Sequence, residues 1–496
     1  MNLKLKQASA RRIDPSKFNI FIAPDTSKKA IEGLAKTWPQ ALKNQLKEAL
    51  KGQKAKQHFL FSASLTEGGV VALIAECKEA RLSALHSQMT SMLSAGFKKT
   101  SIKEVLLFLP KEDVSQRIED LVFLSLVSNW THPKRKTKEA KPESGKSVLV
   151  FSVLGQKVAK LNEAFKRGVS FGEAACLVKT LSHTPPNFLT PELFAKEAKA
   201  IALKRKWHFE FLDEKKLKKL GAGAFLAVSQ GSSKRDSGIV HITINSKAKK
   251  NGKFSFVGKG ICYDTGGYNV KTGSGMFNMH QDMTGAAQAL AMGMLCDDLG
   301  LEKEIHIYLA LAENHISADS FKMNDVVYAS NGKSIEVIHT DAEGRMVLSD
   351  TLAIASKEEP ELMMDYATLT GSAIRAVGTK RACVFVSSED GFIRSLSSAQ
   401  ATGEEVWPFP QGQEYEEGLK SKIADIKQCE PGHNSDHIYA TTFLAHFVTP
   451  KTHWVHMDLS PVDGTGAGLV PLDGCGFGLR WSYDYLRQFS SGVKQS

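Results

Sequence analysis

Cysteine is sparse in this chain. Seven cysteines are scattered through 496 residues and none forms a CxxC pair, which argues against a disulfide frame or a thiolate zinc site and leaves most of them as buried, reduced fillers. Long apolar runs are missing too. No stretch approaches the ~18 residues of a spanning helix, and Met1 to Ala10 carries lysines without the continuous apolar segment of a secretory signal. The expected address is therefore the cytoplasm, with no membrane partner. HExxH, GxxxxGK[ST] and GxSxG are all absent, so a two-histidine zinc helix, a phosphate-cradling P-loop and a serine-hydrolase elbow lose their usual starting points. No repeat of ~20 to 50 residues supports a solenoid or propeller.

What is present looks globular. Hydrophobic residues make up 42% and charged residues 24%, near ordinary usage, and 496 residues exceed what one core usually organises, so two domains are expected. The net charge of +11 opens a second class, a nucleic-acid-binding protein. Much of the excess lies in KNQLKEALKGQKAK (43–56) and KRKTKEAKPESGK (134–146). Neither interleaves aromatics for base stacking, so each reads as solvated surface, a helix face and a linker.

Along the first third, HFLFSASL and VVALIAEC read as strands and LSALHSQMTSMLSAG as a helix. A polar, proline-containing segment from Thr131 to Lys146 breaks the apolar pattern. The junction is placed near residue 165, giving domains 1–165 and 166–496, with a helix from about Gly155 as a candidate bridge. Beyond it, a helix, a Pro-Pro loop and a second helix opened by Thr190 and Pro191 are followed by alternating elements. KFSFVGKGICYD, EIHIYLALAEN and ELMMDYA read as strands, DMTGAAQALAMGMLCDD and AEGRMVLSDTLAIAS as helices. Such alternation predicts an α/β fold with functional groups at strand ends.

Three charged clusters fall at those ends. VGKGICYDTGG (257–267) places Lys259 and Asp264 before a glycine-bearing turn. Lys271 follows, then MHQDMTGAA (279–287), where simple helix capping accounts for Asp282 as well as ligation does. HTDAEGR (339–345) packs Asp341, Glu343 and Arg345 between the apolar runs SIEVI and MVLSDTLAI, where unpaired charge is costly and metal coordination is a common remedy. Carboxylates from three strand ends suit two hard divalent cations. An ammonium cannot coordinate, so Lys259 joins only after losing its proton. Lys271, kept protonated, suits an electrophile on a substrate carbonyl.

Taken in order with DYATLTG (365–371), HTPPNFLTPE (183–192) and the AEN at 312–314, these blocks resemble the successive signatures of the M17 leucyl aminopeptidases, closely over about 165 to 380. The resemblance implies a smaller N-terminal α/β, macro-like domain and a larger C-terminal α/β catalytic domain with a central mixed sheet flanked by helices. It implies a tight metal site of Lys259, Asp264, Asp282 and Glu343 and a more exchangeable one of Asp264, Asp341 and Glu343. Two divalent ions, Zn²⁺ or Mn²⁺ and otherwise Mg²⁺ or Co²⁺, would share a water whose acidified form attacks the first peptide carbonyl, while one metal anchors the free α-amine. Lys271 would stabilise the oxyanion, and Arg345 would hold a bicarbonate ion that accepts the water's proton. Met279 and Thr368 match positions that shape the first side-chain pocket, implying a leucine-like preference. Peptides with a free N-terminus are the implied substrates and a homohexamer the implied assembly.

Departures from the family pattern touch the walls and spare the ligands. The chain has DTGGYNVK (264–271) where DSGGISIK is common, His339 where asparagine is common, and WVHMDLSPVD (454–463) where small residues are usual. Ser460 and Asp463 therefore suggest a shifted side-chain preference. Histidines 280, 315, 339 and 456 are not needed as ligands. A dinuclear phosphoesterase shares the two-metal logic but explains neither the lysine ligand nor the order of the blocks.

Overall fold

The computed structural model describes residues 2–7, 17–23, 26–53, 57–64, 70–75, 82–99, 104–109, 114–132, 135–137, 148–154, 157–245, 247–248, 252–410, 413–430, 432, 434–462 and 476–491. The chain separates into two compact units, one spanning residues 1–176 and one beginning at Leu177. The helix Asn162–Ser182 runs through residue 165 without a break.

The first unit is built on a six-stranded sheet of β1 (Asn2–Gln7), β2 (Phe18–Ala23), β3 (Phe59–Ser64), β4 (Val70–Ala75), β5 (Glu104–Phe108) and β6 (Val148–Leu154) in the order β1-β6-β5-β2-β4-β3. All neighbours are parallel except the β3–β4 edge pair. The helix Gln40–Lys51 buries Leu42, Leu46 and Leu50, a four-residue spacing that forms one apolar stripe against the sheet. Lys47 points into solvent, so this part of the first basic stretch is a solvated helix face. Only residues 135–137 of the second basic stretch lie within the described residues.

The second unit carries an eight-stranded mixed sheet. Its members are β7 (His208–Asp213), β8 (Gly238–Ile244), β9 (Lys253–Asp264), β10 (Glu304–Asn314), β13 (Leu362–Ala367), β14 (Ala382–Val386), β15 (Val406–Phe409) and β17 (His453–Asp458). They run in the order β15-β14-β17-β13-β9-β10-β8-β7. A small separate sheet pairs β11 (Val326–Tyr328), β12 (Ser334–Glu336) and β16 (Ile426–Lys427). The central strands β17, β13, β9 and β10 are parallel, and every residue of β10 is buried, as expected for strands covered on both faces. Helices Thr284–Asp298 and Glu343–Ser356 cover this core, and each buries more than one face. The fold is thus α/β, a smaller unit and a larger one with a mixed sheet flanked by helices.

Thr190 caps the helix Pro191–Arg205 by accepting from the Leu193 amide, with Pro191 in the first turn. The capping reading of Asp282 fails. The helix starts at Thr284 with Met283 at the cap position and no side-chain cap, so Asp282 lies one residue too early, and its carboxylate is engaged by Lys259 and Thr368. Five cysteines fall within the described residues, all free and four of them buried. Among the described residues no helix is long and apolar enough to cross a membrane.

Candidate metal centre

The parallel strands β9, β10 and β13 end on one side of the sheet, the side where functional groups gather in α/β folds. Asp264 closes β9 and pairs in register with Asn314 at the end of β10. One Asp264 oxygen accepts from the Gly266 amide and from the Asn314 side chain, each at 2.9 Å. That turn needs its glycines. Gly266 and Gly267 have φ of 86° and 64°, a region costly for residues with a Cβ, and Thr340 fills the space over Gly267. Thr340 also binds both Gly266 and Asn269, joining the turn after β9 to the segment that presents Asp341.

Lys259 projects from the middle of β9 into the interior. Its ammonium lies 2.8 Å from Asp282 Oδ1, 3.0 Å from Glu343 Oε1 and 2.9 Å from the Thr368 carbonyl. Gly344 makes room for it, since a Cβ there would fall 2.6 to 2.8 Å from the last atoms of the Lys259 side chain. Thr368 Oγ1 donates to Asp282 Oδ1 at 2.7 Å. Lys271 bridges the outer carboxylates, 2.8 Å from Asp264 and 2.5 Å from Asp341. Lys259, Lys271, Asp264, Asp282, Asp341 and Glu343 therefore converge. Met279 sits half-buried in the short 3-10 turn leading to Asp282.

Four carboxylates face two ammonium groups, and the acidic surplus shows in their protonation. Burial, then the charge of Glu343, pushes Asp264 up to about 7. Burial likewise pushes Asp282 up to about 7, and burial and Glu343 raise Asp341. Burial opposes the charge on Lys259, yet Asp282, Glu343 and Asp264 hold it above the ordinary lysine value. Burial also raises Glu343, but Lys259 and Lys271 outweigh that and hold it down.

These residues fit a pair of cations. Asp264, Asp341 and Glu343 each offer an oxygen within 4.8 Å of the others. Among the described residues, the buried Asp282 Oδ2 and Glu343 Oε2 have no hydrogen-bond partner, a costly condition that a cation relieves. Oxygen donors with one amine suit hard or borderline divalent ions. A cavity of about 550 Å³ opens beside them, lined by Lys271, Asp341, Arg345, Arg375, Glu430 and Asp436 among others.

Several contributors escaped the sequence reading. Gln428 accepts from the Ile338 and His339 amides and donates to the Ala342 carbonyl, clamping the turn that carries Asp341. Asp436 forms a two-pronged ion pair with Arg345, at 3.0 and 2.7 Å. Asp458 accepts from the Leu369 and Thr370 amides, and Ser460 Oγ accepts from Thr370 as well, so Ser460 anchors the loop after β13. Asp463 lies outside the described residues. Of the four histidines weighed above, His456 pairs with Asp365 at 2.6 Å beneath the site and His315 lies 3.4 Å from Glu313. A second cluster, Glu304, His306 and Glu358, sits at the opposite end of β10, where Lys253 lies 2.8 Å from Glu358.

Fold and site together define a class: an α/β protein with an acidic, lysine-containing cluster at the carboxyl ends of parallel strands, beside a cleft. The cytosol aminopeptidase family, catalytic domain, matches residues 176–480, and the chain belongs to that family. A probable cytosol aminopeptidase of Prochlorococcus marinus strain AS9601 is 32% identical over 455 residues, 90% of this chain and 91% of that protein. One from Bradyrhizobium sp. strain BTAi1 is 36% identical over 351 residues, 70% of this chain and 69% of its own. A third, from P. marinus strain SARG, is 37% identical over 308 residues, but the match spans only 62% of that protein and 61% of this chain. Among solved structures, the bottromycin maturation enzyme BotP in complex with Mn is 25% identical, with a TM-score of 0.77, covering 96% of this chain and 100% of that one.

Proposed function

We propose that the chain is a metal-dependent aminopeptidase that releases N-terminal residues, leucine-like ones by preference, from peptides and aminoacyl amides. The observation that carries this reading is the convergence of Lys259, Asp264, Asp282, Asp341 and Glu343 beside an open cleft, with two buried carboxylate oxygens left unsatisfied. Lys259, Asp264, Asp282 and Glu343 would hold one divalent ion and Asp264, Asp341 and Glu343 the other. Two cations bound there would acidify a water, polarise the scissile carbonyl and anchor a free α-amine. Mn²⁺ is the first ion to try because the similar solved enzyme is a Mn complex, with Zn²⁺ second.

The remaining work falls to the chain's own side chains. Lys271, partly exposed at the cleft, supplies a fixed positive charge where the carbonyl oxygen turns negative. Thr368 steadies Asp282, and Met279 and Thr368 border the space for the first side chain. Arg345 would hold the anion that accepts a proton from the attacking water, a part the family resemblance gives to bicarbonate. A homohexamer is the assembly that the family resemblance implies, and light scattering on the purified protein tests it.

Hydrolysis of leucine p-nitroanilide, before and after chelation and with Mn²⁺ or Zn²⁺ restored, tests the activity. Release should depend on metal and disappear in Glu343→Ala, while Lys271→Ala should lose ~100-fold or more in kcat with its metal content kept. No release from a broad panel of aminoacyl amides would sink the reading.

A further inference from the structure

Arg345 lies in the first turn of the helix Glu343–Ser356, almost fully buried. A buried guanidinium requires an anion, and its planar fork fits a carboxylate best. The chain provides one. Both Arg345 Nη atoms donate to Asp436, Nη1 to Oδ1 at 3.0 Å and Nη2 to Oδ2 at 2.7 Å. Asp436 begins the helix Asp436–Ala445, its side chain is 30% exposed, and it lines the cleft shared by Lys271 and Asp341. The carboxylate is thus held by both oxygens while part of its side chain stays accessible on the cleft wall.

We propose that Asp436 is the general base of the reaction, a carboxylate built into the chain at the place where the resemblance puts a bicarbonate ion. This rests on the aminopeptidase reading. Rival bases at the cleft are otherwise engaged. Asp264 and Asp341 are bridged by Lys271, and Asp282 and Glu343 hold Lys259. Glu430, also on the cleft wall, pairs with Lys427 at 2.7 Å. His339 lines the cleft too, but its Nδ1 accepts the Asp341 amide at 3.3 Å, so the neutral ring carries its proton on Nε2 and turns no lone pair to the cleft. Asp436 differs from these in being held by both oxygens in a buried guanidinium fork while its side chain stays 30% exposed at the cleft.

The step balances without a co-reactant. Asp436 takes a proton from the attacking water as the water oxygen bonds to the carbonyl carbon and the π pair moves onto the carbonyl oxygen beside Lys271. Protonated Asp436 then gives that proton to the leaving nitrogen as the C–N bond breaks, and the carboxylate is restored.

The test compares wild type, Asp436→Asn and Asp436→Gly, all Mn²⁺-loaded, in CO₂-free buffer with and without added bicarbonate. Turnover of leucine p-nitroanilide is measured alongside ¹³C-bicarbonate line broadening by the bound Mn²⁺. Wild-type turnover should not depend on bicarbonate. Asp436→Asn, whose amide still fits the fork, should lose ~100-fold or more in kcat with little change in KM and no rescue. Asp436→Gly, which empties the fork, should lose as much and recover in part with bicarbonate, and it alone should broaden the ¹³C signal. Near-normal kcat in Asp436→Asn, a bicarbonate requirement in wild type, or equal broadening in wild type and Asp436→Gly would each overturn the proposal while leaving the aminopeptidase reading intact. A wild type inert on every aminoacyl amide would remove the reading itself, and the base with it.

Discussion

At the scale of single residues, the centre is governed by the balance between burial and charge. Lys259 is legible in the sequence as a ligand only if deprotonated, and in the structure its ammonium donates to two carboxylates and a carbonyl. The raised carboxylates set a sign for the pH dependence. Asp264 and Asp282, both near 7 through burial, hold protons in the folded metal-free protein that the unfolded chain has already released. Their contribution to stability is present at low pH and is lost as pH rises from about 4 to about 7. A dication binds the ionised forms and reverses that sign. The gain in Tm on adding Mn²⁺ to chelated protein should therefore widen from about pH 5 to about pH 8. A flat or narrowing gap would show that these carboxylates do not hold the metal. Gly344 gives a sharper prediction. A methyl there meets Lys259, which three partners hold in place, so Gly344→Ala should cost about 2 kcal/mol of stability by overpacking and weaken Mn²⁺ binding by at least tenfold, read by denaturant melts and calorimetry.

At the scale of elements, the long units were legible because their periodicity is strong: β9, β10, β13 and the helices after Thr284 and Glu343 fall where the apolar runs predict them. The small sheet of β11, β12 and β16 was not, since strands of two or three residues carry no period and are held instead by tertiary bonds such as Asp425 to Ser334. Gln428 and Asp436 escaped for a related reason. They sit some ninety residues from the Arg345 turn they hold, and no local pattern links them. Asp350 shows the same long reach. Its carboxylate, pushed up to about 6 by burial, accepts from the Phe225 amide at 2.8 Å and the Ser330 amide at 2.6 Å, pinning the first turn of the short helix Gly223–Ser229 and the turn at Ser330 to the helix that begins with Glu343. Asp350→Ala should leave both amides unpaired and cost about 3 kcal/mol. A loss under about 1 kcal/mol in urea melts would mean that water replaces the carboxylate and that this helix is anchored by its apolar packing alone.

At the scale of the whole molecule, the net charge of +11 is the one property that points away from a peptidase. Its weight depends on how the positive groups are distributed, because only clustered cations release enough counterions from a polyanion to bind it firmly. Among the described residues, several lysines and arginines pair with nearby carboxylates. Lys196 pairs with Glu192, Lys216 with Glu210, Lys218 with Glu214, Lys303 with Glu361, and Arg205 with Asp297 and Asp298. Surface pairs of this kind contribute little to stability, but each sets a carboxylate beside a cation that a phosphate would otherwise meet. The basic stretch 134–146, interrupted by Glu139 and Glu143, falls largely outside the described residues. Fluorescence anisotropy with a 20-base-pair duplex should therefore show no binding at ~50 mM salt, and neutralising the lysines of 134–146 should leave aminoacyl amide hydrolysis unchanged. Binding that weakens steeply with salt and vanishes in the neutralised variant would instead establish a second role for the chain, carried by that segment and separable from the metal centre.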